Sequence, residues 1–261
     1  MGIKILVFRA VVRNIRPVQK PSAARQPVIV TGLSNQEFLE RYAQPGCIGL
    51  SGGVTWVDQA ICRAERHLDA KARWGHWSHA FIFQGRRVDG QHWVIESDLQ
   101  FHRKHIRLGV QENRVTKYHD EEMFGNLAVL DFGLTETQIN AVLTEGLELV
   151  ATRTPYSVRE LFGTLIALRK PELRPGKNLL AQDRSLYCSA LVQHLFRQAG
   201  LELIPGIAPK HSTPEEIART QVPHTTYLLQ REVPRSRLQQ LGKKIRYRAK
   251  ARVRLMKRKG D

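Results

Sequence analysis

The sequence predicts an α+β fold in which a small antiparallel sheet packs against helices, with basic helical extensions at both ends. Three observations predict it. Two alternating segments, Ser78–Gln84 and His92–Glu96, are separated by Gly85, Asp89 and Gly90, the pattern of an antiparallel hairpin with a loose turn. Beside them, apolar residues recur at three and four positions, as in Val54, Val57, Ile61, Ala64 and Leu68, which is the period of a helix buried by one face. The net charge of +17 is gathered at the ends: residues 1–25 carry six Lys and Arg and no acid, and residues 242–261 carry ten against Asp261. About +2 is left between them, so the middle is an ordinary globular stretch.

In chain order, residues 3–16 set Arg9, Arg13 and Arg16 in one helical quadrant, a short basic amphipathic helix. Pro17 to Pro27 reads as a linker. Ser34 caps a short helix, and Pro45-Gly46 turns the chain into a strand at Cys47–Leu50. After the helix of 54–68 come the hairpin and two further strands, Val110–Val115 and Leu127–Phe132. Thr135 opens a helix with the stripe Ile139, Val142, Leu143, Leu147 and Val150. Tyr156–Leu168 is a further helix, and Cys188–Ala199 another, stopped at Gly200. Thr213-Pro214-Glu215-Glu216 is a helix start, with proline in the first turn and carboxylates at the positive end of the dipole. Beyond Pro234, Leu238, Leu241, Ile245, Ala249, Val253 and Met256 recur among cations as a basic amphipathic helix.

The chain of 261 residues, 42% hydrophobic, is long enough to bury a core. It divides into a basic extension and linker (1–42), a globular domain (43–230) and a basic helix or tail (231–261). Cys47, Cys62 and Cys188 are odd in number and widely spaced, which suits reduced thiols better than a disulfide framework or zinc ribbon. No apolar run is long enough to cross a bilayer, and Arg9 interrupts the Ile5–Phe8 cluster, against a cleavable signal. A cytoplasmic or peripheral-membrane protein is expected, with export by another route left open.

The sharpest chemical signal is a cysteine opening a helix, Tyr187-Cys188-Ser189-Ala190-Leu191-Val192. There the unpaired N–H groups and the dipole favour a thiolate and can receive an oxyanion. The plainer alternative is a small buried hydrophobe. A thiolate needs a base or ion-pair partner, and His79 shares a strand face with Phe81 and Phe83, the face expected to meet the packed helices. Glu96, ending the next strand, can lie beside it and fix the imidazole. Singly, a strand histidine is more often structural, and a strand-end glutamate more often solvated.

Together these residues resemble the circularly permuted branch of the NlpC/P60 superfamily, close to the YiiX/YebB-like proteins. The resemblance spans roughly residues 43–222. It rests on Gly-Cys-Ile-Gly-Leu at 46–50, the helix containing Trp56, Trp-Ser-His with its apolar run at 77–83, Val-Ile-Glu-Ser at 94–97, Tyr-Cys-Ser at 187–189 and Thr-Pro-Glu-Glu-Ile-Ala at 213–218. It implies a permuted papain-like fold in which the histidine precedes the cysteine helix, with Cys188 as nucleophile, His79 as base and Glu96 as orienting residue. Tyr187, Ser78 and Tyr156 are candidate oxyanion or substrate-binding donors, with simple packing as the alternative. Cys47 stands where the family has aspartate, and Ala190 follows Cys-Ser where glutamate is common.

The implied function is a cysteine hydrolase or acyltransferase, cleaving an amide, ester or thioester of a cell-envelope substrate through a thioester on Cys188. The substrate is a peptidoglycan peptide or a lipid acyl group, and no cofactor is needed. A zinc site from His76, His79, His92, His102 and His105 is disfavoured, because no pair has His-x-x-x-His spacing. The main alternative is a non-enzymatic basic protein that binds nucleic acid or an anionic membrane. The apolar stripes opposite the cations favour the membrane.

Overall fold

The computed structural model describes residues 26–71, 73–101, 106–152, 187–209 and 212–231. The helices expected at 3–16, at Tyr156–Leu168 and beyond Pro234 lie outside them, as does most of the 17–27 linker.

Seven strands form one mixed sheet: β1 (Val28–Val30), β2 (Ile48–Gly53), β3 (His79–Arg86), β4 (His92–Phe101), β5 (Ile106–Arg114), β6 (Phe124–Asp131) and β7 (Thr225–Leu229), in the order β1-β7-β6-β2-β3-β4-β5. Every neighbouring pair is antiparallel except β1 and β7. The sheet is therefore larger than the small antiparallel one expected, and mixed. Its two additions come from the margins and are short, three residues in β1 and five in β7. Residues 28–42 also contradict the boundary drawn at 42–43. Val30 pairs with Leu229, and Phe38 and Leu39 are fully buried, so the folded body begins by Val28.

Among the described residues, five α-helices accompany the sheet: α1 (Asn35–Tyr42), α2 (Trp56–Ala64), α3 (Glu136–Ala151), α4 (Cys188–Gln198) and α5 (Pro214–Ala218). Local chemistry starts them where expected. Ser34 with Glu37, Thr55 with Asp58 and Thr135 with Gln138 are reciprocal capping boxes, each satisfying two otherwise orphaned backbone donors. The helix expected over 54–68 is split, since α2 tightens into a 3-10 turn at Glu65–Leu68. Helix α4 ends at Gly200, whose φ of 77° suits glycine.

Both faces of the sheet are covered, which is why β3 reads as an unbroken apolar run from Ala80 to Phe83. On one face Ala80, Ile82 and Ile95 pack with Val142 of α3 and with Leu191, Val192, Leu195 and Phe196 of α4. On the other, Phe81, Phe83 and Val94 pack with Phe38 and Leu39 of α1 and with Tyr118 from a 3-10 turn at Val115–His119. Alternation does put His79 with Phe81 and Phe83, but that face belongs to α1 and the 3-10 turn rather than to α4. How Cys188 nonetheless meets His79 depends on where the hairpin ends. The β3–β4 pairing runs only from Arg86 opposite His92 to Ile82 opposite Ile95, so His79 and Glu96 stand beyond its last rung.

Candidate active site

Three elements converge at this open end of the hairpin: the first residue of β3, the middle of β4 and the first residue of α4. His79 Nε2 lies 2.7 Å from Glu96 Oε2. The Cys188 side chain interacts with the same ring. The imidazole thus bridges a thiol and a carboxylate more than ninety positions apart on the two sides. The His79 side chain is 15% exposed and Glu96 is fully buried.

Glu96 is saturated. Oε1 accepts from Asn113 Nδ2 at 2.6 Å and from Lys117 Nζ at 2.8 Å, while Oε2 accepts from His79 and from the Tyr118 hydroxyl. Four donors fill the acceptor sites of an ionised carboxylate, the arrangement that makes a buried charge tolerable. Burial by itself would raise the Glu96 pKa. The Lys117 charge, with help from His79, overcomes it and holds the carboxyl well below its usual range. Burial likewise works against a charged His79, but the hydrogen bonds to Cys188 and Glu96 outweigh it and the pKa is pushed up to about 10. The imidazolium is the stable form at neutral pH. Burial, reinforced by the charges of Glu96 and Asp98, drives the Tyr118 hydroxyl well up, so it remains a donor.

The cysteine sits at the opening of α4. Its N-cap, Tyr187, makes no side-chain cap, and the first turn holds no acidic residue, so the leading N–H groups are free of an internal anion. The turn is anchored from outside: the Ser212 carbonyl accepts from Ser189 Oγ at 2.9 Å and from the Tyr187 hydroxyl at 3.2 Å. Of the other two thiols, Cys47 precedes β2 and Cys62 lies in α2. Burial and the nearby Asp131 push Cys47 well up, and burial with Glu65, Asp58 and Glu215 pushes Cys62 up to about 12.

The expected auxiliary donors have other employment. Tyr187 donates to Ser212 and Pro209, ties a loop to α4, and so is not aimed as an oxyanion donor. Ser78 is 2% exposed; its Oγ donates to Asp58 Oδ1 at 2.7 Å and accepts from Gly53 N at 3.1 Å, which makes it a knot behind His79 rather than a substrate contact. Tyr156 lies outside the described residues. Of the histidines, His76 is exposed, His92 is opposite Arg86 at the turn end of the hairpin, and His102 and His105 lie outside the described residues.

Sequence reading missed Asn113, Lys117, Tyr118 and Asp98. Asn113 had a recoverable signal: Glu96 pairs with Gln111, and Asn113 lies two residues on, on the same face. That signal needs the register, which the β5 sequence alone does not provide. Lys117 and Tyr118 follow a strand in a 3-10 turn and carry no local mark.

No family model and no curated protein matches the chain. Among solved structures, it is similar to the metalloprotein yiiX from Escherichia coli O157:H7, of DUF1105. The identity is 15%, covering 74% of this chain and 99% of that one, with a TM-score of 0.42. Among the described residues of this chain, no three or more His, Cys, Asp and Glu side chains are grouped so as to hold a metal ion. None of the described helices is long and apolar enough to cross a membrane.

Proposed function

We propose that the chain is a cysteine hydrolase or acyltransferase with a permuted papain-like fold of the NlpC/P60 type. One observation carries the reading: His79 is held between the thiol that opens α4 and a buried, fully hydrogen-bonded Glu96. A structural histidine needs no thiol, and a structural cysteine needs no imidazole. The combination is what nucleophilic catalysis requires.

In the proposed reaction the Cys188 thiolate attacks the acyl carbon. The carbonyl π pair moves to oxygen, where the leading N–H groups of α4 stabilise it, a contribution of roughly a hundredfold or more in rate. As the tetrahedral intermediate collapses, the bond to the leaving group breaks and the Nδ1 proton of His79 goes to that group. A thioester remains. Water or another acceptor, its proton taken by neutral His79, then attacks the thioester; the C–S bond breaks, the acyl product leaves, and the Cys188 thiolate and the His79 imidazolium are restored. Glu96 keeps the ring oriented throughout. The substrates proposed are amides, esters or thioesters of the cell envelope, either peptidoglycan peptides or lipid acyl groups, the second favoured by the basic, apolar-striped ends.

Incubating the protein with anionic phospholipid vesicles and with peptidoglycan fragments, followed by mass spectrometry, tests the reading. The expected result is release of fatty acid or peptide, and an acyl adduct on the intact protein that Cys188→Ala lacks. Release of neither product, with no adduct, removes the hydrolase reading. What then survives is the second one, a basic protein whose charged ends bind nucleic acid or an anionic membrane, which the segregation of charge to those ends favours.

A further inference from the structure

Among the described residues, the group most directly coupled to the His79–Glu96 pair without touching the thiol is a lysine. Lys117 Nζ lies 2.8 Å from Glu96 Oε1 and 2.6 Å from Asp98 Oδ2. It also stands 5.1 Å from the centre of the Tyr118 ring, whose hydroxyl donates to the Glu96 oxygen that His79 uses. The lysine side chain is 25% exposed, the Glu96 side chain not at all. A surface pair of this kind contributes little, but here one partner is buried and both of its oxygens are engaged.

We propose that Lys117 is a positioning residue of the site: by sharing its ammonium between Glu96 and Asp98, it takes up part of the Glu96 charge and limits how firmly that carboxylate holds the His79 proton. The proposal rests on the hydrolase reading for its purpose. A histidine that acts first as acid and then as base must release its proton as well as keep it, and transfer is most effective when donor and working pH are not far apart. Glu96 alone, buried beside His79, would lock the imidazolium. With Lys117 on the opposite oxygen, the carboxylate is divided between two cations. Asp98 in turn restrains Lys117, so the lysine does not neutralise Glu96 outright. The titratable groups around the pair are Glu96 and Asp98 from β4, Lys117 and Tyr118 from the 3-10 turn, and Cys188 from α4.

The arrangement has opposite-signed consequences for its two members. Replacing Lys117 by methionine returns the full Glu96 charge to His79, and the titration midpoint of the ring should rise by about one pH unit, a tenfold change in proton affinity. Asp98→Asn removes an anion and gives the ammonium wholly to Glu96, so the midpoint should fall. Asp98 is 22% exposed, so this variant keeps a foldable core even where Lys117→Met does not. The measurement is the pH titration of the His79 ring nitrogens by NMR in the full chain, with the alkylation rate of Cys188 by iodoacetamide followed over the same range. A lysine that only fills space would leave the midpoint in place in Lys117→Met, whereas loss of the Asp98 anion lowers it in Asp98→Asn in either case. Midpoints that stay put, or that shift in the same direction in both variants, overturn the proposal. Where Lys117→Met does not fold, Lys117→Gln takes its place: a rise of the His79 midpoint supports the proposal, and an unchanged or lowered midpoint overturns it. Failure of the hydrolase reading is separate, appearing as a missing Cys188-dependent adduct while the NMR shifts persist.

Discussion

Glu96 illustrates how much a single buried carboxylate can organise. With no exposure and four donors, it fixes the ring of His79 and draws a lysine, a tyrosine and an asparagine into the site. Its charge also sets a pH window for stability. His79 has a folded pKa of about 10 against an unfolded value of 6.5, so its contribution is complete below pH 6.5, declines above it and is gone once the pH passes about 10. Glu96 has a folded pKa below its ordinary 4.5, so its contribution is complete above that value and is lost as the pH falls. Denaturant midpoints measured across pH should therefore peak between about pH 4.5 and 6.5 and decline on the alkaline side as the pH rises toward about 10. Glu96→Gln should lower stability by about 3–5 kcal/mol, the range for breaking a buried ion pair, and should flatten the alkaline decline because His79 then loses its anion. An unchanged alkaline limb in that variant would mean that Glu96 does not hold the His79 proton.

At the scale of elements, the site depends on how β2, α2 and β3 are tied together. Asp58 closes the capping box of α2 with Thr55 through one oxygen and receives Ser78 on the other. Ser78 directly precedes His79, so the helix cap and the placement of the imidazole share one carboxylate. Gly53, at the end of β2, makes the junction feasible: a Cβ there would lie 2.2 Å from Asp58 Oδ2. Gly53→Ala is expected to cost about 1–2 kcal/mol, near the upper value for loss of an N-cap, because Asp58 must move. Displacing Ser78 should also reduce any Cys188-dependent turnover by roughly tenfold or more, since small errors of position near the chemistry are expensive. Comparing unfolding midpoints with single-turnover rates checks both halves, and a variant of normal activity would show that the knot does not position His79.

The whole molecule combines a nearly neutral folded body with strongly basic ends. Strand β1 is an edge strand, yet it belongs to the body: Val30 is buried, its carbonyl accepts from Gln230 N at 2.8 Å, and it covers one side of β7. Removing residues 1–25 should leave the unfolding midpoint unchanged while weakening binding to anionic vesicles in a salt-sensitive way. Removing residues 1–34 should do more, lowering the midpoint and exposing the edge of β7 to pairing between molecules. Calorimetry, vesicle sedimentation and light scattering of the two truncations separate these outcomes. Equal stability of both would place β1 outside the cooperative unit.

Features written in local periodicity and end chemistry are legible in the chain alone. The hairpin of β3 and β4, the helices opened by Ser34, Thr135 and Thr213, the helix spaced from Val54 and the start of α4 at Cys188 all follow from alternation, three-and-four spacing and capping residues. Cys188, His79 and Glu96 could be singled out because each sits at a marked position in such an element. Only the tertiary structure decided the rest. Strand β1 exists because it pairs with β7 from the other end of the described chain, and β7 because it lies between β1 and β6; neither is long enough to announce itself. That Ser78 faces Asp58 and Tyr187 faces Ser212, and that Asn113, Lys117 and Tyr118 surround Glu96, are matters of register and of contacts between distant segments. Hydrogen-bond partners are chosen by proximity in space, and a residue's neighbours in sequence specify its element but not the groups that will meet it there.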